Sequence, residues 1–315
     1  MAAHSPSRAT TAAKKTIRAT PINIPLRRQP RNPRNRSRDR GVELTVRLLL
    51  LALALPAIAS AQDPLEIIRR ATELDRRDTA LARRYTFLQR QERRDLDSKG
   101  RVTKTESETY DVTLLEGSPY RRLVARNDQP LSPKDQQKQE EKLQKSIEDR
   151  RKETPAQHQQ RVADWERKQE KQREPLKELP QAFDFKLAGE EALNGGVAFV
   201  IEGTPKPGYR PKSQATSFFP KVKLRLCIDK KDYQWIKVDI ESFDTISFGG
   251  FLFRLAKGSH VTIENERVNN EIWMPKRATI KGSARIALVK VMRGEMIFTF
   301  SDYRKFQTDS RVLTQ

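Results

Sequence analysis

Residues 221–240 read KVKLRLCIDKKDYQWIKVDI. In the first half Val222, Leu224, Leu226 and Ile228 fall on one side of an extended chain, with Lys221, Lys223 and Arg225 on the other, because successive side chains of a strand point to opposite faces. Lys230-Lys231-Asp232 supplies a turn, after which Ile236, Val238 and Ile240 alternate with Lys237, Asp239 and Glu241. Two antiparallel strands with one dry and one wet side follow from this pattern. A sheet of such strands needs an apolar partner against its dry side.

The same reading extends in both directions. Upstream, Tyr85–Leu96, Val102–Leu115 and Tyr120–Arg126 read as a meander, with turns at Ser98-Lys99-Gly100 and Gly117-Ser118-Pro119. Downstream, Gly249-Gly250 marks a hairpin, and Phe251, Phe253 and Leu255 share a face of the next strand. Asn269-Asn270 and Arg293-Gly294-Glu295 read as further turns, and Met296, Phe298 and Phe300 make a last apolar row. The expectation is ten or eleven antiparallel strands.

One helix precedes them. Asp63, Pro64 and Glu66 form an N-terminal capping pattern, and Ile67, Ala71, Leu74 and Leu81 then recur at helical spacing over about residues 64–82. A sheet of this size cannot stay flat, since strand twist accumulates until the sheet closes, splits or curls. The predicted architecture is therefore mainly β: a curved antiparallel sheet, or open half-barrel, wrapped on an N-terminal amphipathic helix. If helix and wall leave space, the residual groove is apolar and fits acyl chains. Its candidate lining is Ile67, Leu74, Val222, Leu224, Leu226, Ile236, Val238, Phe251, Phe253, Leu255 and Phe298.

Residues 132–179 interrupt the strands with a stretch dominated by Lys, Glu, Gln and Arg. High helix propensity and Thr154-Pro155-Ala156-Gln157 predict two helices, over about 133–152 and 155–173. With Leu143, Ile147, Val162 and Trp165 as a thin seam between them, they are expected to project as a charged hairpin. Gly203–Pro220, rich in Pro and Gly, reads as a long loop or gate.

Charge and compartment come from the other end. The chain of 315 residues carries 62 Lys+Arg against 41 Asp+Glu, a formal charge of +21. The apolar run Leu48–Ile58, with Arg47 before it and Ala59-Ser60-Ala61 after it, has the layout of a cleavable secretory signal ending near Ala61. The expected division is 1–61, a disordered basic tail and signal, and 62–315, the folded domain. Residues 1–61 hold 12 basic and 2 acidic groups, so the remainder nets +11 and favours an anionic membrane surface as a partner. Export to the periplasm leaves no nucleic-acid partner for that remainder. Cys227 is the sole cysteine, so no intramolecular disulfide or cysteine metal cluster forms.

Taken together, the leader, the first amphipathic helix, the meander and strands such as VKLRLCIDKKDYQWIKVDI and ENERVNNEIWMPKRATIKG make the chain resemble the periplasmic lipoprotein carrier (LolA) and outer-membrane lipoprotein-sorting superfamily over residues 63–130 and 182–306. The resemblance implies an open β-barrel with a helical lid that binds lipid, acyl chains or lipidated protein without catalysis, some relatives serving as stress sensors.

Catalytic signatures are absent from the sequence, and no cofactor or metal is expected. His158 and His260 are the histidines of the 62–315 region, and Ser259 beside His260 would point to the opposite face of a strand. The expected function is a non-enzymatic envelope protein that holds a lipid, acyl chain or lipoprotein. The alternative is a sensor or scaffold that engages a protein partner through 132–179.

Overall fold

Asp63 starts the first helix as its spacing predicts. Its carboxylate accepts the Leu65 amide at 3.0 Å, and Pro64 occupies the first turn, where a missing N–H costs nothing. In the computed structural model, which describes residues 62–248, 253–286 and 290–305, this helix, α1, spans Pro64–Ala82. Helix α2 runs Pro133–Arg151 and α3 runs Pro155–Ala182.

Thirteen strands form one antiparallel sheet. They are β1 (Tyr85–Leu96), β2 (Val102–Leu115), β3 (Ser118–Arg126), β4 (Gln129–Pro130), β5 (Phe183–Leu193), β6 (Gly196–Pro205), β7 (Val222–Asp229), β8 (Trp235–Ser242), β9 (Ile246–Phe248), β10 (Phe253–Leu255), β11 (His260–Val268), β12 (Ile272–Ile286) and β13 (Lys290–Lys305). The order is β4-β3-β2-β1-β13-β12-β11-β8-β7-β6-β5, with β9 and β10 as a short pair beside β12. The sheet is open: β4 and β5 do not meet, and the first and last long strands, β1 and β13, pair in its interior. The surplus over the expected strand count comes from β4, β9 and β10, each three residues or fewer.

Alternation fixes the two faces, and a bulge corrects one part of it. Val222, Leu224, Leu226 and Ile228 all reach the main core. Opposite them, Ile228 pairs with Trp235 and Cys227 with Lys237, so β8 carries one extra residue, Ile236. The bulge turns Trp235 inward with Val238 and Ile240, and sends Ile236 to the outer face beside Cys227, Ala198 and Val200. Strict period two had put Ile236 with Val238.

Gly294 corrects another expectation. It is no turn: β13 runs straight through it, paired with Gly282 and Asp95. A Cβ there would stand 2.8 Å from the Arg94 carbonyl, so the glycine serves close approach between strands. Gly117 is the converse, a turn residue at φ +82° behind Glu116 at φ 41°, tight against Val162 of α3.

The inserted helices depart furthest from the sequence pattern. α3 extends to Ala182, nine residues past the predicted stop, with Pro175 and Pro180 inside it. Burial overrides the local cost of the prolines: Leu179 and Ala182 are buried in the main core and Leu176 packs against it. α3 therefore lies over the inner face of the sheet instead of projecting. α2, none of whose residues is buried, rests against β3, where Arg122 bonds Glu140. Arg150, at its C-terminal end, donates to the Ser118 carbonyl at 3.0 Å. Val162 and Trp165 accordingly face the sheet and not a helix–helix seam. The segment read as a gate packs too: Phe219 is buried in the core and the Tyr209 hydroxyl donates to Glu178 of α3.

Among the described residues no helix is long and apolar enough to cross a membrane, and no group of three or more His, Cys, Asp or Glu could hold a metal ion. The predicted leader, the basic tail and Phe251 lie outside the described residues, as does the side chain of Phe253.

Candidate functional site

The inner face divides along α1. At its N-terminal half Ile67, Ile68 and Ala71 sink onto Phe199, Ile201, Val222, Leu226 and Ile228, and Phe183 and Phe219 close the cluster with ring centroids 5.1 Å apart. Each of these side chains is at most 3% exposed, which leaves a filled interior. Full burial of such side chains is worth about 1.5–3 kcal/mol apiece.

Toward its C-terminal half the helix meets the sheet along β12, where Leu81 and Ala82 pack on the buried cluster of Tyr85, Val268, Ile272 and Met274, and it leaves a gap beside β1, β2 and β13. Its inward side turns polar at Asp75, Asp78 and Thr79, and between α1, α3 and strands β1, β2, β12 and β13 there is a cavity of about 340 Å³. The sheet contributes Phe87, Val112, Leu114, Phe300 and Tyr303 to its walls, and α3 contributes Trp165. A bulge aims the aromatic pair. Thr86 pairs with Arg304 and Leu88 with Ser301, so β13 carries one extra residue at Asp302, at φ 52°, and Tyr303 comes round to the same face as Phe300. Both rings then pack on Phe87, at 5.4 and 5.9 Å between centroids.

Ion pairs hold the roof. Arg173 of α3 bonds Asp75 of α1, and Arg83 just beyond α1 bonds Glu166 while lying 5.1 Å over the Trp165 ring. Arg83–Glu166 is half-exposed and contributes little, whereas Arg173–Asp75 is largely shielded from water. Asp78 is buried and accepts the Trp273 amide at 3.3 Å. Burial pushes the carboxyls of Asp75 and Asp78 above their ordinary value of 3.8, with Arg173 opposing the rise at Asp75 and the Trp273 amide opposing it at Asp78. Burial also raises the Tyr303 phenol, whose hydroxyl donates to the Pro275 carbonyl. The buried acids of the wall are thus internally bonded; Thr113 and Gln169 add polar atoms to the lining, whose larger part is hydrocarbon and aromatic.

The sequence-predicted lining residues stand elsewhere. Ile67, Val222, Leu224 and Leu226 are buried in the filled core, with Val238 and Leu255 packed on it. Leu74 is half-buried on α1 and Phe298 half-buried on β13, on the Phe300 side but outside the cavity wall; Ile236 is on the outer face. None of the nine predicted residues whose side chains are described lines the cavity. The residues that do come from elements more than two hundred positions apart, Thr79 to Tyr303. A signal was present in α1, where the apolar stripe lapses into Asp75, Asp78 and Thr79 on the side that faces the sheet.

Among the described residues no catalytic pair forms from the histidines. Ser259 donates to the Ala256 carbonyl at 2.7 Å, while His260 reaches Asp239 at 3.3 Å on the outer face. His158 lies beside Glu153 and Arg161.

No family model and no curated protein matches this chain. Among solved structures it is similar to an outer-membrane lipoprotein-sorting protein domain from Vibrio parahaemolyticus, at 12% identity over 78% of this chain and 95% of that one, with a TM-score of 0.33. It is similar also to a LolA superfamily protein from Nitrosomonas europaea, at 10% identity over 79% and 96%, TM-score 0.28. A third likeness is to the MucA/MucB complex of Pseudomonas aeruginosa, at 12% identity over 78% and 99%, TM-score 0.21. The likeness is one of fold, and nothing about what this chain binds is carried by it.

Proposed function

We propose that this protein is a non-enzymatic binder of an acyl chain, belonging to a lipid or a lipidated protein of the cell envelope, and that the chain lies in the cavity between α1, α3 and the β1–β2–β12–β13 wall. The carrying observation is that one half of the helix–sheet interface is filled while the other keeps about 340 Å³ open behind Phe87, Phe300, Tyr303 and Trp165. That volume lies in the range of small-molecule sites, about 300–1,000 Å³. Apolar walls favour a hydrocarbon by about 25 cal/mol for each Å² taken out of water, and with the buried acids already bonded they ask for no polar partner from the ligand.

The helical roof makes entry a matter of separating α3 from α1. Arg173–Asp75 and Arg83–Glu166 are the links that part, and the prolines at 175 and 180 are the weak points of the α3 ladder where such a movement would bend. Native mass spectrometry and solvent extraction of protein purified from its own envelope fraction test the reading. A co-purifying lipid or acylated peptide, lost on substitution of Thr79 by Trp, is the expected result; a clean apoprotein that takes up no oleate in solution would sink it.

A further inference from the structure

Adjoining the cavity at Trp165 is a second space of about 690 Å³ between α3 and strands β1–β3. The two share Phe87, Val112, Pro119, Trp165 and Gln169, so they lie on opposite sides of one set of side chains, within the reach of a single amphiphile. Their walls differ in charge. The outer groove is faced by Arg121, Arg150, Arg161 and Lys168 and by a single acid, Asp164. Asp164 is engaged by Arg167, and Arg161 by Glu153 at 2.6 Å. The remaining three cations have no carboxylate within ion-pair distance among the described residues. Arg121 lies 4.3 Å over the Tyr110 ring. Arg150 donates only to main-chain carbonyls, those of Leu115, Ser118 and Pro119. Burial and the adjacent Arg161 work against its charge, and Glu153 and Glu116 farther off offset this only in part. A half-buried guanidinium with carbonyls as its sole hydrogen-bond acceptors, together with Arg121 and Lys168, leaves a net positive field in the groove.

We infer that this groove takes the anionic head of the same molecule whose chain lies in the cavity, so that the ligand class is a phosphate-bearing amphiphile, with Arg121 and Lys168 as its head-group contacts and Arg150 as the fixed charge behind them. The inference rests on the acyl-chain reading above and adds the head-group chemistry. Guanidinium and ammonium groups that lack carboxylate partners are free to bond phosphate oxygens, and Arg does so in a bidentate way. Arg121 and Lys168 are both exposed at the groove and donate no hydrogen bond within the described residues, Arg121 making only its exposed stack on Tyr110, so they can be altered with little effect on the fold. Arg150 cannot, because it holds the β2–β3 turn.

The test is titration calorimetry of the whole chain with oleoyl lysophosphatidate and with mono-oleoylglycerol, which share one acyl chain and differ by the phosphate, and with inorganic phosphate alone. The wild type is expected to bind the lysophosphatidate at least about tenfold more tightly than the glycerol ester, as one or two charge-assisted bonds supply. Arg121→Gln with Lys168→Gln should bring that ratio to within about twofold while leaving mono-oleoylglycerol affinity unchanged. Equal affinities in the wild type, or a ratio that survives the double substitution, would overturn the head-group assignment and leave the acyl-chain reading standing. Inorganic phosphate that binds as tightly as the lysophosphatidate would also overturn it, in favour of a free-phosphate site. If neither lipid binds, the acyl-chain reading itself fails.

Discussion

Two halves of one concave surface are built from the same kinds of residue and end in different states. Over β5–β8 the inner face meets α1 and the C-terminal turns of α3, and Phe199, Ile201, Leu226 and Ile228 are all but excluded from water. Over β1, β2, β12 and β13 equally apolar side chains, Phe87, Leu114, Phe300 and Tyr303, face a space that nothing fills. The difference lies in the helix that crosses both. Where α1 offers Ile67, Ile68 and Ala71 it docks flush on the sheet, and where it offers Asp75, Asp78 and Thr79 it is held to β12 through the Trp273 amide and puts no apolar side chain against Phe87, Leu114 and Phe300. The lesson is that an apolar sheet face becomes core or groove according to what is placed against it.

The largest effect should fall on the filled half. Phe199→Ala removes a fully buried ring and is expected to lower the unfolding free energy by about 3–5 kcal/mol, read by urea denaturation, while the fraction that remains folded keeps its acyl-chain affinity. Loss of binding by folded F199A protein would erase the distinction between the halves. Next comes the roof. Since Leu179 lies in the core, exchange of residues 132–179 for a short linker should do more than remove an accessory segment. It should expose the core, increase binding of an apolar dye and lower stability by several kcal/mol; Leu179→Ala alone should lose about 2–4 kcal/mol. A deletion variant as stable as the parent would show α3 to be dispensable to the fold.

A smaller effect on stability, with a large one on binding, is expected in the open half. Thr79→Trp sends an indole from α1 into the cavity. It should weaken oleate binding at least tenfold while the unfolding free energy changes by less than about 1.5 kcal/mol, as measured by calorimetry and denaturation on the same preparation. The smallest effect concerns the wall acids. Burial holds Asp78 above 3.8 in the folded state, so the folded protein binds its proton more tightly than the unfolded chain does. Its contribution is therefore most favourable below 3.8 and is lost as pH rises through the raised folded value. Asp78→Asn keeps an acceptor for the Trp273 amide without the charge. A gain in stability near neutral pH and a flatter stability profile between pH 3.8 and neutrality are expected, and a loss of stability in thermal melts would contradict the assignment.

Much of the scaffold is legible from residues alone, because it depends on local signals. The cap at Asp63 and Pro64, the alternation of Val222 to Ile228 and the turn at Asn269-Asn270 each appear where the pattern places them. The elements that went astray are those in which tertiary contact overrules the local sign. Pro175 and Pro180 look like a stop, yet burial of Leu176 and Leu179 carries α3 past them. Gly294 looks like a turn and is a point of close approach. Ile236 has the right period and the wrong face because a single bulge reverses it. The cavity was the least legible feature. Periodicity identifies the inner face, but whether a stretch of it is filled depends on how near a helix more than a hundred residues away is able to come.

Site-resolved quenching addresses that division most directly. Trp165 lines the cavity, whereas Trp235 is buried in the filled half, so two variants isolate them: W235F/W273F keeps Trp165, and W165F/W273F keeps Trp235. Titrated with a brominated fatty acid, the first should lose most of its fluorescence at saturation and the second should be left nearly unchanged. Quenching of Trp235 equal to that of Trp165, or none at Trp165, would show that the acyl chain does not lie in the gap that the helix leaves beside the sheet.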